Sequence, residues 1–332
     1  MKTKTPNVSG RSAWLRDNIT KYFSFSAIII LLVALSLTQD NFLGTSNLLR
    51  DTAPLMIMSA GMTMVLLFGS IDLSMGAVCS VSNVTYIHLM LAFQDSFSNP
   101  FLTSLAAMAV SLAFGLASGL ALGIIHVKLK VPSFIASLGF MSLWQSVALL
   151  ITQNPESVPK ALWGTVEWYK IAFGVVGLPL IVAIAIILFI HCVTRYTPSG
   201  RTIFAIGGNE RTARVAGMGV DRTKILVFAI NGVLAALAGI FLAANLRSSA
   251  PTIGDPFTLK IVAACALGGT SLAGGKGSEL GTILGVFTVA IIENGMNFIG
   301  VNAYYQNIVF GIFVLAAIAL TVDRSIRGQI VK

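Results

Sequence analysis

The chain of 332 residues is 55% hydrophobic and 11% charged, and it carries a formal net charge of +9. Globular domains carry about 25% charged residues, which they keep on a surface that meets water. This composition therefore excludes a cytosolic enzyme, a secreted disulfide scaffold and a disordered tail. The length allows about ten bilayer crossings of about twenty residues each with short connections, and it leaves no room for a large soluble domain.

Apolar runs of spanning length follow one another along the chain. They lie at about 22–38, 52–68, 74–93, 102–125, 133–152, 173–193, 225–246, 257–273, 279–297 and 304–322. We therefore predict an all-α membrane protein of about ten transmembrane helices. Its parts are a basic arm at 1–21, one transmembrane domain at 22–322 and a short tail at 323–332. Glycines every fourth residue, at Gly115, Gly119 and Gly123, indicate a helix face on which two backbones approach closely.

The basic residues predict the orientation of the chain. Of the 22 Lys and Arg residues, Lys260 falls inside a span and four fall in the predicted outer segments: Arg50, Lys160, Lys170 and Arg247. The other seventeen fall in the segments that are cytosolic if the N-terminus is inside. Such a bias is typical of cytosolic loops, so both termini are predicted to be cytosolic. The positive net charge is therefore explained by the orientation of the chain in the lipid bilayer, and we expect no nucleic acid partner.

The sequence offers no site for nucleotide chemistry or catalysis. The nearest approach to a phosphate-binding loop is Gly274-Gly275-Lys276-Gly277-Ser278. It lacks the first glycine, since position 270 is Thr, and Gly277 stands where the motif needs Ser or Thr for magnesium. The three histidines are far apart in sequence. We expect the chain to be no enzyme, with no cofactor or metal of its own.

Charged residues inside spans are costly and are therefore candidates for function. Asp72 lies at the break between the second and third runs, where it either caps the following helix or belongs to a solute path or gate. Lys260 lies early in the eighth run. Glu293 forms a polar stripe with Asn294 and Asn297, which serves either hydrogen bonding between helices or the path.

Uncharged polar residues within the spans are further candidates for a path. A neutral polar solute needs hydroxyl-matching groups that bind it weakly, because the solute must also leave. By polarity alone the candidates are Asn83, Tyr86, Gln145, Asn294 and Asn297.

The inner segment 194–224 is the longest polar stretch within the predicted bundle and contains signals for a short helix at about 210–216. Gly207 and Gly208 are predicted to break the chain, and Asn209 is a good N-cap. Glu210 lies in the first turn, where the helix dipole favours an acid. The remaining signals are the small side chains of Ala213 and Ala216, predicted to form a smooth face, and Gly217, which favours the left-handed conformation that ends helices.

A helix this short is not stable alone, so we predict that it packs into a groove of a partner protein. The alternative is an ordinary solvated loop.

Four motifs occur in order at 69–76 (GSIDLSMG), 131–139 (VPSFIASLG), 205–218 (AIGGNERTARVAGM) and 267–277 (LGGTSLAGGKG). Together with ENGMNFIGV at 293–301, they resemble the permease subunits of bacterial ABC importers for monosaccharides, in particular the ribose type. The likeness covers about 45–325.

The resemblance implies an assembly in the bacterial inner membrane. Two permease subunits, identical or different, would pair around a central path, and a periplasmic sugar-binding protein would dock outside. A cytosolic ATPase with two fused nucleotide-binding domains would supply ATP and magnesium and dock on the segment that carries Gly207 to Met218.

The resemblance has departures. Where relatives commonly have Glu and Asp ahead of the eighth span's alanines, this chain has Thr258 and Lys260, so the sugar or the docking could differ. The alternative from another class is a stand-alone secondary sugar transporter or facilitator, which has no use for a coupling helix.

Overall fold

The computed structural model describes residues 46–94, 96, 99–173 and 176–321, and these parts of the chain are mostly helical. The helices in chain order are α1 (Ser46–Leu67), α2 (Met75–Ala92), α3 (Pro100–Lys128), α4 (Ser133–Ile151), α5 (Leu178–Tyr196), α6 (Pro198–Val215), α7 (Val220–Leu246), α8 (Phe257–Leu267), α9 (Glu279–Phe298) and α10 (Ala303–Thr321). The all-α prediction is confirmed for the described residues, apart from four two-residue strands in two antiparallel pairs.

Nine of the ten predicted runs correspond to helices, and the run at 22–38 lies outside the described residues. Within the described ranges, six helices are long and apolar enough to cross a membrane, namely α2, α3, α4, α5, α7 and α9. The eighth run is shorter than predicted, because α8 ends at Leu267 and Gly269 follows with φ +84. The ten spans and the cytosolic termini stay predictions, and the arm at 1–21 and the tail at 323–332 also lie outside the described residues.

The centre of the bundle is built on α7, which packs against α1, α2 and α3. The predicted glycine face of α3 is confirmed as its contact with α7. A Cβ added at Gly119 would lie 2.2 Å from the carbonyl oxygen of Phe228, and one added at Gly232 would lie 2.2 Å from that of Gly115. Such distances exclude any side chain, so the small residues fix how closely the two backbones approach.

The predicted outer segment 153–172 folds back onto the ends of the helices. It contains β1 (Glu156–Ser157), the 3-10 helices Lys160–Thr165 and Glu167–Lys170, and the first residues of a hairpin of β2 (Ala172–Phe173) and β3 (Val176–Gly177). β1 pairs with β4 (Ser248–Ser249), just after α7. The guanidinium of Arg247 lies 3.9 Å from the ring centroid of Trp163, and such stacking helps hold the segment against the bundle.

Candidate functional site

The inner segment 194–224 is mostly helical. Its main element, α6, is interrupted at Asn209, whose φ of −164° and ψ of 105° are those of an extended residue. The Oδ1 atom of Asn209 accepts a hydrogen bond from the backbone N–H of Thr212 at 3.0 Å, so Asn209 caps a short second helix as predicted. The prediction for Gly207 and Gly208 was wrong, because both continue the preceding helix and the break comes one residue later.

The far end of the short helix also follows its sequence signals. Gly217 has φ +75, the left-handed conformation that was predicted, and the N–H of Met218 bonds to the carbonyl of Ala213 at 3.1 Å. The prediction that Ala213 and Ala216 form one smooth face toward a partner was wrong, because the two side chains point in different directions. Ala213 is buried in the chain's own core with 3% exposure, while Ala216 is exposed. The outward side carries Val215, which is 84% exposed.

Ion pairs explain why Ala213 faces inward, since they hold the short helix against α7. Glu210 bonds through Oε2 to Nζ of Lys224 at 2.7 Å and through Oε1 to Nη2 of Arg214 at 2.9 Å. Arg214 also reaches Oδ1 of Asp221 at 2.5 Å. These four side chains, with residues at the end of α3 and in the connection that follows it, line a cleft of about 560 Å³.

The charges of this cluster stabilise one another. Partial burial by itself raises the pKa of Glu210, but the hydrogen bonds and charges of Lys224 and Arg214 outweigh it and hold that pKa below its ordinary value. Hydrogen bonds to Asp221 and Glu210 raise the pKa of Arg214. Both groups therefore stay ionised at neutral pH, and the short helix stays fixed to α7.

Gly207 connects this segment to two other breaks in the bundle. A Cβ at Gly207 would lie 2.0 Å from the carbonyl oxygen of Leu67 and 2.4 Å from the backbone nitrogen of Gly275. The N–H of Gly275 in turn bonds to that same carbonyl of Leu67 at 2.8 Å. Three chain segments thus meet backbone to backbone, and we call this contact of Leu67, Gly207 and Gly275 the three-way junction.

Two of these segments end their helices in the same way. After α1, the N–H groups of Gly69 and Ser70 bond to the carbonyls of Leu66 and Val65 at 2.8 and 3.1 Å. After α8, the N–H groups of Gly269 and Thr270 bond to Ala266 and Cys265 at 2.9 and 3.0 Å, and both glycines have positive φ. The same termination motif therefore occurs on both sides of the three-way junction.

Asp72 lies just beyond the first of these breaks and is 3% exposed. Its Oδ1 accepts from the N–H and the hydroxyl of Ser74 at 2.8 and 2.6 Å, ahead of α2, and its Oδ2 accepts from Nδ2 of Asn231 on α7 at 2.8 Å. The N-cap residue of α2 is Ser74, which has no side-chain capping bond, so Asp72 fixes the turn ahead of α2 and ties that turn to α7. A role in the path or its gate stays a prediction.

Lys260 and Glu293, two of the predicted path residues, form an ion pair of 2.6 Å between α8 and α9. The Lys260 side chain is 9% exposed and that of Glu293 is 29% exposed. The ammonium also lies 5.4 and 5.8 Å from the ring centroids of Phe257 and Phe310. Lys260 therefore has a carboxylate partner, which the sequence spacing did not reveal.

The other members of the predicted stripe on α9 differ in environment. Asn294 donates through Nδ2 to the carbonyl of Ala290 at 2.9 Å, within its own helix. Asn297 is exposed and accepts through Oδ1 from Nε2 of Gln306 on α10 at 2.7 Å. The stripe thus makes contacts both within α9 and toward α10.

Asn83 and Tyr86 are fully buried in this chain. Asn83 accepts from the N–H of Ala250 at 2.8 Å and donates to the carbonyl of Gly239 at 3.3 Å. The hydroxyl of Tyr86 lies 2.7 Å from that of Ser104. Asn83 thus joins α2 to α7 and to the connection after it, and Tyr86 joins α2 to α3. Both side chains lie away from any surface of the subunit that the structure describes.

Gln145 is half-buried, and its Nε2 donates to Oδ1 of Asp255 at 3.1 Å. Sequence reasoning missed Asp255, although the turn signals Gly254 and Pro256 beside it mark the point where a helix is interrupted. It also missed the partner of Glu279, which begins α9 and lies 3.1 Å from Nδ1 of His191 on α5. The two pairs join residues 110 and 88 positions apart. Among the described residues no group of three or more His, Cys, Asp or Glu side chains could hold a metal ion.

Comparison with known proteins gives consistent matches over nearly the whole chain. The family described as "Branched-chain amino acid transport system / permease component" matches residues 44–318. The chain is 35% identical to the ribose import permease protein RbsC of Bacillus subtilis, over 98% of this chain and 100% of that one. It is 36% identical to RbsC of Escherichia coli K12 over 95% and 97% of the two chains. The D-allose transport system permease protein AlsC of the same bacterium is 31% identical over 90% and 91%.

Proposed function

Because the chain belongs to the family of branched-chain amino acid transport system permease components, and its relatives import sugars, we propose that it conducts a monosaccharide through the membrane on behalf of a separate ATPase. Its family and the six apolar helices among the described residues make it a multi-pass protein of the inner membrane. In this proposal the chain carries no nucleotide site, and ATP and magnesium bind to the partner ATPase.

The observation that supports ATP coupling most directly is the short helix after Asn209. It is capped at both ends, fixed to α7 by ion pairs, and presents Val215 outward at 84% exposure. Ala216 and Met218, which are also exposed, follow Val215 closely in the chain, and we assign this small apolar surface to a contact with another protein. A cytosolic ATPase with two fused nucleotide-binding domains fits this contact, and the three-way junction carries its movement to the ends of α1 and α8.

The remaining partners follow from the class of transporter. A second permease subunit would complete the path, and a periplasmic binding protein would deliver the sugar to the outer side. A ribose-like sugar is the cargo that we propose, because several similar permeases import ribose. The permeases named for allose and xylose transport are nearly as similar to this chain. We therefore propose that the binding protein decides whether the transported sugar is a pentose or a hexose.

The test is uptake by proteoliposomes that contain the chain, its ATPase and a loaded binding protein. We expect uptake of labelled ribose that requires ATP and magnesium and that persists when ion gradients are collapsed. Uptake that follows an ion gradient without ATP would replace this proposal by the secondary transporter, and uptake down the sugar gradient alone would replace it by the facilitator. Absence of ATP hydrolysis by the chain alone tests the assignment of the nucleotide to the partner.

A further inference from the structure

The connection between α7 and α8 turns back into the helix bundle. Its Ala250 bonds to the side chain of Asn83, in the middle of α2, and its Gly254 donates to Oγ of Ser80 at 2.9 Å. Four residues on from Ala250, Gly254 also lies so close to the carbonyl of Gly76 that an added Cβ would come within 1.9 Å. The connection therefore runs along α2 toward its first turn, inside the protein.

The length of α8 gives the depth that the connection reaches. At about 1.5 Å per residue, the 11 residues Phe257–Leu267 span about 16 Å, or half of a hydrocarbon core of about 30 Å. α8 ends at the break that contains Gly269, which leads to the three-way junction and which the predicted topology places on the inner side. Asp255, two residues before α8, therefore lies near mid-depth.

Polar side chains are exposed at this depth. Asp255 is exposed, and within the described residues its carboxylate has the amide of Gln145 as a hydrogen-bond partner and no ion-pair partner. Ser142 and Ser146, on either side of Gln145 on α4, are also exposed. In the apolar 18-residue stretch of α4 only 17% of the residues are buried, the smallest share among the six apolar spans that the described residues contain. Ser142, Gln145 and Ser146 thus form, with Asp255, a polar face that lies among exposed apolar side chains of α4 such as Leu143 and Leu149.

Such a face is unsuited to lipid, because an unpaired carboxylate in hydrocarbon costs several kcal/mol and such groups face water-filled cavities or the interior of a bundle. We propose that Ser142, Gln145, Ser146 and Asp255 line the aqueous path, and that Gln145 and Asp255 are its specificity-determining pair. The identity of the cargo rests on the proposed function. For a neutral, polyhydroxylated solute, the carboxylate accepts bonds from hydroxyl groups, while the amide both donates and accepts.

Thiol accessibility tests the position of the face without any cargo. Cys192 is exposed and is replaced by Ser, whereas Cys79 and Cys265 are buried and remain. Ser142→Cys and Ser146→Cys are then introduced singly, and the assembled transporter is treated with a quaternary ammonium methanethiosulfonate, which reacts with thiolates in water. The matched control is Phe189→Cys on α5, an apolar position that is 69% exposed.

We expect both α4 variants to be labelled at least about tenfold faster than the control, since the thiolate forms in water and not in lipid. Equal, slow labelling at all three positions in the assembled transporter would overturn the proposal, because it would mean that lipid or the second subunit covers the face. This outcome is separate from failure of the proposed function, which would appear as absence of ATP-driven uptake by the unmodified protein.

Replacement of Asp255 by Asn then tests the specificity role. We expect about a tenfold loss of maximal uptake, as for the loss of a hydrogen bond to a charged group, while the ATPase activity stimulated by the binding protein is kept. Asp255→Glu, which retains the carboxylate, should recover part of the uptake. Equal uptake by the Asn variant and the unmodified protein, or equal loss of uptake and ATPase activity in both variants, would show that Asp255 does not act on the solute.

Discussion

The three-way junction makes a sharp prediction at Gly207. In Gly207→Ala the new Cβ would lie 2.0 Å from the carbonyl oxygen of Leu67, and the backbones would have to separate by about 1.4 Å to reach an ordinary contact of 3.4 Å. No flexible side chain can absorb this shift, because the nearest atoms are all backbone atoms. Overpacking of this kind costs about 1–3 kcal/mol, and part of the hydrogen bond from Gly275 to Leu67 is lost with it.

Gly208→Ala is the matched control, since a Cβ there meets nothing within 4 Å. In a helix, Ala is favoured over Gly by about 0.5–1 kcal/mol, so this variant should be as stable as the unmodified protein or slightly more stable. The assay is thermal unfolding of each purified variant in detergent, followed by measurement of ATP-driven uptake. Equal melting temperatures and equal uptake for the two variants would refute the packing at the junction.

Three further predictions address the ion pairs and the short helix. The pKa of Glu210 in the folded protein lies below its ordinary 4.5. The ionised side chain therefore stabilises the fold above about pH 4.5, and this stabilisation is lost as the pH falls through the folded-state pKa. Glu210→Gln should lower the melting temperature at pH 7 and weaken the fall of the melting temperature with pH below about 4.5. Glu293→Leu should destabilise by about 3–5 kcal/mol because it leaves a buried ammonium unpaired, and the double variant with Lys260→Met should recover most of that loss in the same unfolding assay. Ala213→Trp should lower the stability of the permease itself, since this alanine is 3% exposed, whereas Ala216→Trp should leave stability unchanged and reduce co-purification of the ATPase; the reverse pattern would show that the helix faces the other way.

Local signals in the sequence predicted the termini of the short helix well. Asn209 and Gly217 act through hydrogen bonds and φ values within a few residues of themselves, so neighbouring residues decide their conformation. The glycine face of α3 was predictable for a similar reason, because a spacing of four residues fixes one side of a helix. The position of the eighth helix end was missed, since Gly269 ends α8 inside a run that remains apolar.

Contacts between segments that are distant in sequence could not be predicted from such local signals. The ion pair of Lys260 with Glu293 joins residues 33 positions apart, and the bond of Gln145 with Asp255 joins residues 110 apart. Each depends on how whole helices pack, and no periodicity in the sequence encodes that. The inward direction of Ala213 was mistaken for the same reason, because the ion pairs that orient its helix involve α7.

The position of α8 links the two ends of the proposed mechanism. Gly275 of the three-way junction follows the inner end of α8 by eight residues, and it meets there Gly207 of the segment that we propose faces the ATPase. The outer end of α8 begins two residues after Asp255, on the exposed polar face. We expect displacement of Gly207 by the ATPase to move α8, a helix of about 16 Å, and with it the carboxylate at its outer end. A spin label at Thr258, measured against one on α7 with and without ATP, would detect this movement; an unchanged distance would place the moving element elsewhere.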